Sequence, residues 1–320
     1  MARYQSTMGQ MDGLVVIDKP PGLTSHDVVV QVRKTLRVRR VGHTGTLDPF
    51  ATGVLVLLIG RATRLAQFLS NAEKEYDAVV RLGYATDTGD IDGTPLEETR
   101  QPVLVSESDI EPALQTFRGD ITQVPPMYSA KKKEGRKFYE LARQGIEVER
   151  PAISVCIHEL EAIKRDGALL KNNDDGTADL RVRVRCSAGT YVRTLAEDLG
   201  KRLGTKAHLA ELRRIRAGDF DQKDASTLEQ LRQSVVDEAI GTILHPPTSA
   251  LSRLPFVHLT ADEQRRARRG MDVGVAEGAW PDGSWISLLD ERDNLIAVAC
   301  FDAKKSVLHP RVVLAEQNSD

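Results

Sequence analysis

The chain has little of what most simply announces a function. Its three cysteines, Cys156, Cys186 and Cys300, are widely spaced and odd in number. That excludes a disulfide framework and a zinc-ligand pattern, and it predicts buried free thiols in a reducing cytoplasm. The apolar run at 54–59 is far too short to span a bilayer. The first ten residues are polar and mixed, with no apolar signal core. Aromatic residues make up 5% of the chain, which argues against an extended stacking platform for single-stranded nucleic acid. A net charge of −2 does not single out a polyanionic partner. A length of 320 residues exceeds one typical core and predicts a large domain plus a small one.

The charges that are present are unevenly distributed. Arg33, Lys34, Arg37, Arg39 and Arg40 follow one another without an acid. A second basic run holds Lys131, Lys132, Lys133, Arg136, Lys137 and Arg143, and a third spans 201–216. Acids concentrate elsewhere, for example across 87–111. Such a map is compatible with phosphate binding on one face, although any single run is equally well a solvated surface.

Residues 42–53, Gly-His-Thr-Gly-Thr-Leu-Asp-Pro-Phe-Ala-Thr-Gly, are the most informative stretch. Three glycines and a proline surround one carboxylate, Asp48, and a strand-like apolar run follows at once. Glycine allows close backbone approach, and Pro49 pushes Asp48 toward an extended conformation. The spacing suits a fixed nucleophile, base or ligand, and equally an Asx-turn in which Asp48 caps its own loop.

Elsewhere, 13–18 reads as a first strand and a helix starts near Ser25 as N-cap. Residues 61–69 read as helical and 76–82 as a strand. Ser108 with Glu111 and Ser226 with Glu229 read as capping boxes. Segments 153–160 and 180–186 alternate as strands, the second placing Arg181, Arg183 and Arg185 on one face. A helix from Thr190 buries Leu195, Leu199 and Leu203 and stops at Gly204. Residues 124–150 read as a basic excursion, helical around 138–143, and Pro246-Pro247 as a boundary. Segments 285–289 and 295–301 read as a hairpin. Hairpin-like pairs outnumber βαβ units, which favours an α+β fold.

The loop Gly42-His43-Thr44-Gly45-Thr46-Leu47-Asp48-Pro49 closely resembles the catalytic loop of the TruB-type family, the tRNA pseudouridine-55 synthases. Further blocks resemble that family in the same order. They are Lys19-Pro20-Pro21-Gly22-Leu23-Thr24-Ser25, Tyr76, the turn 86–90, 124–130, Gly189-Thr190-Tyr191-Val192-Arg193 and Leu212-Arg213-Arg214. The match runs from about residue 12 to 217. It implies the pseudouridine synthase fold, a mixed and mostly antiparallel sheet flanked by helices, in residues 1–247. A small PUA-like RNA-binding domain is implied for 248–320.

The resemblance also implies roles. Asp48 is the nucleophile, attacking ribose C1′ or base C6, and Arg193 is its partner. By helical pattern alone Arg193 reads as an exposed charge. Tyr76 stacks on a flipped uracil and takes part in C5 proton transfer, and Tyr191 lies beside the nucleophile. Without the resemblance both tyrosines read as core. His43 fills the space left by the flipped nucleotide, and Leu212 lines the uridine pocket. Lys19 supports the nucleophile or contacts substrate. Lys131, Lys132, Lys133 and Arg136, on a thumb-like excursion, contact RNA phosphates.

The expected substrate is tRNA, at its T-stem and loop. No cofactor, metal, guide RNA or membrane is expected, and the protein is expected to be a cytoplasmic monomer. Asp87, Asp90 and Asp92 hint at a calcium loop but lack EF-hand spacing. A tRNA-binding or tRNA-folding protein without catalysis is the alternative.

Overall fold

The computed structural model describes residues 11–96, 103–127, 150–275 and 280–314, with the backbone of two short strands at 132–133 and 136–137. The chain opens with β1 (Gly13–Lys19), α1 (Ser25–Leu36), β2 (Val41–His43) and β3 (Thr52–Ile59). A 3-10 turn (Gly60–Leu65) leads into the short α2 (Ala66–Ser70), so the helix expected at 61–69 is split in two. β4 (Lys74–Leu82), α3 (Glu107–Gln115) and β5 (Gly119–Gln123) follow, then β6 (Lys132–Lys133) and β7 (Arg136–Lys137). The helix expected at 138–143 lies outside the described residues. β8 (Ile153–Ala162), β9 (Leu170–Asn172), β10 (Ala178–Cys186), α4 (Val192–Arg202), β11 (Ala207–Ala217), β12 (Phe220–Asp221) and α5 (Leu228–Val236) complete the larger part. β13 (Phe256–His258), α6 (Ala261–Arg268), β14 (Val273–Gly274), β15 (Trp285–Leu289), β16 (Leu295–Asp302) and β17 (Val307–Val313) form the rest.

A ten-stranded sheet runs β1-β3-β11-β4-β10-β8-β5, with β2, β9 and β12 attached at its sides. Every pairing is antiparallel except β3 with β11. A second, five-stranded sheet runs β13-β15-β16-β17-β14 and contains the expected 285–301 hairpin. The α+β expectation and the small C-terminal β domain thus match the architecture.

Strand alternation explains the continuous apolar run of β3. Val15, Ile17, Leu55, Leu57 and Ile59 join the core beneath α1 and α4. Leu14, Val16, Val54, Val56 and Leu58 point the other way, into a core shared with Leu289, Val298 and Val312 of the second sheet. Both faces of β1 and β3 are buried, and the two sheets pack across them.

The expected helix caps are each displaced by one or two residues. Thr24 with Asp27, Ser106 with Asp109 and Thr227 with Gln230 form the boxes. The rejected residues have tertiary partners instead. The Ser25 hydroxyl binds Leu47, Glu111 binds Arg118, and the Ser226 backbone pairs with Val16 and Asp18. Only Cys186 of the three free thiols is buried, and the other two are half-exposed.

β11 was not foreseen, yet it is the strand that positions the site. Its Arg214 lies opposite Gly53 on one side and Tyr76 on the other. At Gly53, φ is +99°, and a Cβ there would lie 2.2 Å from the Arg214 carbonyl oxygen. Both the backbone angle and the contact demand glycine. Gly53→Ala is expected to destabilise the fold by about 3 kcal/mol, the sum of left-handed strain and overpacking. Urea unfolding of the variant measures this, and a loss under 1 kcal/mol would contradict the close β3–β11 approach.

Candidate active site

The Asp48 loop leaves β2 and re-enters the sheet at β3, beside β11. Each of its carbonyls from Gly45 to Pro49 is held. Arg214 donates to Gly45 O at 3.1 Å and Thr46 O at 3.3 Å, and to Val54 O at 2.7 Å. The Ser25 hydroxyl donates to Leu47 O at 3.1 Å and accepts the Leu47 N–H at 2.8 Å. Ala51 N–H donates to Asp48 O, and Gly22 N–H to Pro49 O. Lys19 Nζ donates to Pro49 O at 3.1 Å and Pro20 O at 2.9 Å. Lys19 and Arg214 are 0% and 2% exposed. Their donors are bonded to peptide carbonyls, which fixes where Asp48 points.

The Asp48 side chain, 30% exposed, meets Arg193 near the start of α4. Arg193 Nε lies 3.0 Å from one carboxylate oxygen and Nη2 donates to the other at 3.1 Å. Nη1 donates to Asp90 at 3.3 Å and to Thr88 O at 3.0 Å. One planar guanidinium is thus shared between two carboxylates. Burial pushes the Asp48 carboxyl above the ordinary Asp range; Arg193 pulls it down, Asp90 pushes it up and Lys19 pulls it down.

Asp90 is itself buried and accepts from the Thr88 hydroxyl at 2.6 Å. Asp87 accepts the Thr94 N–H. The acidic turn is therefore wired inward and to itself, and not arranged as the calcium loop its composition hints at. Among the described residues no His, Cys, Asp and Glu group is arranged to hold a metal ion.

Asp48 opens on a cavity of about 280 Å³. Tyr76, Tyr191, Arg193 and Leu212 line it, as do Lys74 and Arg214. Tyr76 is buried, and its hydroxyl is pushed up by burial and drawn back by Arg214. Tyr76 and Arg214 are register partners, and Leu212 is two residues from Arg214, so alternation puts all three on one face. Tyr191 is the N-cap residue of α4. Its backbone N–H and C=O are both bound by the buried Gln123 side chain, at 3.0 and 3.2 Å.

The sequence-derived residues therefore separate into groups. Asp48, Tyr76, Tyr191, Arg193 and Leu212 converge on the cavity. Lys19 lies behind the loop and His43 at the end of β2, and neither lines the cavity. The side chains of Lys131, Lys132, Lys133 and Arg136 lie outside the described residues. Sequence reasoning placed Asp90 only in a hinted calcium loop and assigned no role to Gln123, Lys74 or Arg214. Arg214 carried a signal, as the last residue of the Leu212-Arg213-Arg214 block.

Comparison with known proteins agrees with this geometry. A family model described as TruB family pseudouridylate synthase (N terminal domain) matches residues 33–192, and one for the tRNA pseudouridylate synthase B C-terminal domain matches 193–252. The chain is 40% identical to a tRNA pseudouridine synthase B of Solibacter usitatus, over 95% of this chain and 100% of that protein. It is 47% identical to one from Aromatoleum aromaticum, over 84% and 83%. A chain from an H/ACA RNP bound to a substrate RNA containing 2′-deoxyuridine superposes with a TM-score of 0.71 at 25% identity, covering 99% of this chain and 89% of that one. Fold, sequence and the Asp48–Arg193 cavity lead to one conclusion: the chain belongs to the TruB family of pseudouridylate synthases.

Proposed function

We propose that this protein converts one uridine in the T-arm loop of tRNA, position 55, to pseudouridine, with Asp48 as nucleophile and without a guide RNA. The observation that carries the reading is the Arg193 guanidinium gripping Asp48 at 3.0 and 3.1 Å on the wall of a cavity that takes a flipped base. Relatives matching over most of the chain bear the name tRNA pseudouridine synthase B.

The reaction breaks the C1′–N1 bond, forms a C1′–C5 bond and moves a proton from C5 to N1, with no net redox change. Asp48 must be ionised to attack, and burial alone would protonate it. Arg193 offsets that penalty and holds the carboxylate in one plane. Tyr76 and Leu212 provide an aromatic and an aliphatic wall for the uracil. Burial favours the neutral phenol of Tyr76, so any part in C5 proton transfer starts from that form. His43 occupies the displaced nucleotide's place in the RNA, and Lys19 acts by holding the loop. Residues 1–247 form the catalytic domain, its 124–150 excursion closing on the RNA stem through Lys131, Lys132, Lys133 and Arg136. Residues 248–320 form a PUA-like RNA-binding domain. A cytoplasmic monomer completes the reading.

Release of tritium from C5 of uridine in an unmodified tRNA transcript tests it, using purified protein alone. Wild type is expected to release tritium. Asp48→Asn is expected to lose at least about 1,000-fold in turnover while still binding tRNA, because the amide is no nucleophile. Binding without release by wild type would favour a tRNA-folding protein instead.

The pH profile tests the shared guanidinium. Activity rises as Asp48 ionises, and the negative charge of Asp90 moves that ionisation to higher pH. Asp90→Asn removes the push, so the acid limb of the rate profile is expected to shift to lower pH. The plateau is expected to drop about tenfold as Arg193 loses an anchor. An unmoved acid limb would show that Asp90 and Asp48 are not coupled through the site.

A further inference from the structure

We propose that Lys74 is a further catalytic residue: its ammonium contacts a carbonyl oxygen of the uracil and stabilises the negative charge on the base as the glycosidic bond breaks. The proposal rests on the pseudouridine synthase reading above. Lys74 opens β4 two residues before Tyr76, so both side chains stand on the cavity face of the strand. Its stem runs beneath the Asp48 loop: a Cβ placed on Gly45 would lie 3.8 Å from Lys74 Cε and 3.6 Å from Arg214 Nη1.

Lys74 Nζ donates to Ser70 O at 2.7 Å and Ala72 O at 2.5 Å. An ammonium has three donors and no acceptor, so these leave one N–H unused. Among the described residues Lys74 has no carboxylate partner. Capping a turn needs donors but not charge, and the charge here is costly. Burial first, and then neighbouring Arg214, lower the amine from its ordinary value to about 8. A buried cation with a spare donor on the wall of a reaction cavity is suited to an oxygen that becomes negative only during the reaction.

Either route of Asp48 attack creates such an oxygen. If C1′ is attacked, the C1′–N1 electron pair moves onto N1 and is delocalised to the uracil carbonyl oxygens. If C6 is attacked, the C5–C6 π pair moves through C4 onto its oxygen. In both cases Lys74 supplies a hydrogen bond and a positive charge, and it neither gains nor loses a proton overall.

The test compares Lys74→Met and Lys74→Arg with wild type by tritium release and by tRNA binding. Lys74→Met, which keeps the length of the stem, is expected to lower kcat about 100-fold with tRNA affinity within threefold of wild type. A role confined to the Ser70–Ala72 turn would lower Tm and leave kcat within threefold. That result overturns the assignment, as does weakened tRNA binding with unchanged kcat.

The pH profile keeps the proposal testable should Lys74→Met fail to fold. The groups facing the amine are Tyr76 on its own strand, Arg214 on β11, Cys186 on β10 and Asp48 in the loop. Burial holds Tyr76 above its ordinary range and Cys186 up to about 11, so neither titrates near 8. Burial also lowers Lys19, behind the loop, to about 8, so the comparison is made in a Lys19→Arg background. Wild-type kcat is expected to fall as pH rises through about 8, and Lys74→Arg to move that limb up by at least one pH unit. An alkaline limb unchanged in Lys74→Arg overturns the assignment. No tritium release by wild type would overturn the function proposed above, a different outcome from loss in the variants alone.

Discussion

A carboxylate that is to act as a nucleophile has to leave bulk water without picking up a proton, and the Arg193 guanidinium is what permits that here. It faces two acids, Asp48 and Asp90, at 3.0 to 3.3 Å. Only Asp48 opens onto the cavity; Asp90 is enclosed and holds the guanidinium from behind. Arg193 projects from the first turn of α4, whose N-terminus borders the same space. The positive end of that helix adds to the field on Asp48. The direction of α4 in turn depends on Gln123, which binds both backbone groups of Tyr191. Gln123 ends β5 at the root of the 124–150 excursion, and Val124 O accepts from Thr194 of the same helix. The root of the chain segment expected to close on RNA is therefore joined by hydrogen bonds of 3.0 to 3.4 Å to the helix that carries Arg193.

The other side of the nucleophile is held by donor-only side chains. Lys19 and Arg214 have little access to solvent, and both end on peptide carbonyls of the loop. Glycine and proline give this loop its shape, but they do not make it rigid. Rigidity comes from strands β1 and β11, which deliver these two cations beneath it. The loop is irregular because it must approach a substrate, and it is fixed because each of its carbonyls from Gly45 to Pro49 is bonded.

Periodicity in the sequence revealed β4, β8, β10 and α1, which alternate between buried and open positions, while β1 and the C-terminal hairpin were legible as short apolar runs that are buried on both faces. The Asp48 loop was legible from its glycines, its proline and the apolar strand after it. β11 was not. Its register slips at Leu209/Glu211 and Arg214/Arg216, and charges at Glu211, Arg213, Arg214 and Arg216 hide an inner strand. Those irregularities turn Arg214 and Leu212 to the site while Arg213 pairs with Asp18 at 2.8 Å. Tertiary contacts displaced the helix caps. Ser25 is as good a cap residue as Thr24, and a contact with Leu47, distant in sequence, decides between them. The Asp48–Arg193 pair could be read only through resemblance, because no local pattern joins residues so far apart.

Charge is a further point that sequence alone leaves open. The sequence places the three arginines of β10 on one face without saying what they meet. In the fold they are neutralised: Arg183 pairs with Asp77 at 2.9 Å, Arg185 with Glu159 at 2.6 Å and Glu73 at 2.9 Å, and Arg181 approaches Glu211. Partly exposed pairs of this kind add little to stability and leave little net field. On the opposite face of the same sheet Lys74 and Arg214 rest on carbonyls, with the Tyr76 hydroxyl also against Arg214, and on no acid among the described residues. A carbonyl solvates a cation without cancelling its charge. The site therefore keeps positive potential that the outer face gives up, while the whole chain stays near neutrality. What marks the functional face, among the described residues, is two cations without an acid partner, Lys74 and Arg214, beside the Asp48–Arg193 pair, and the number of cations in the sequence does not reveal that.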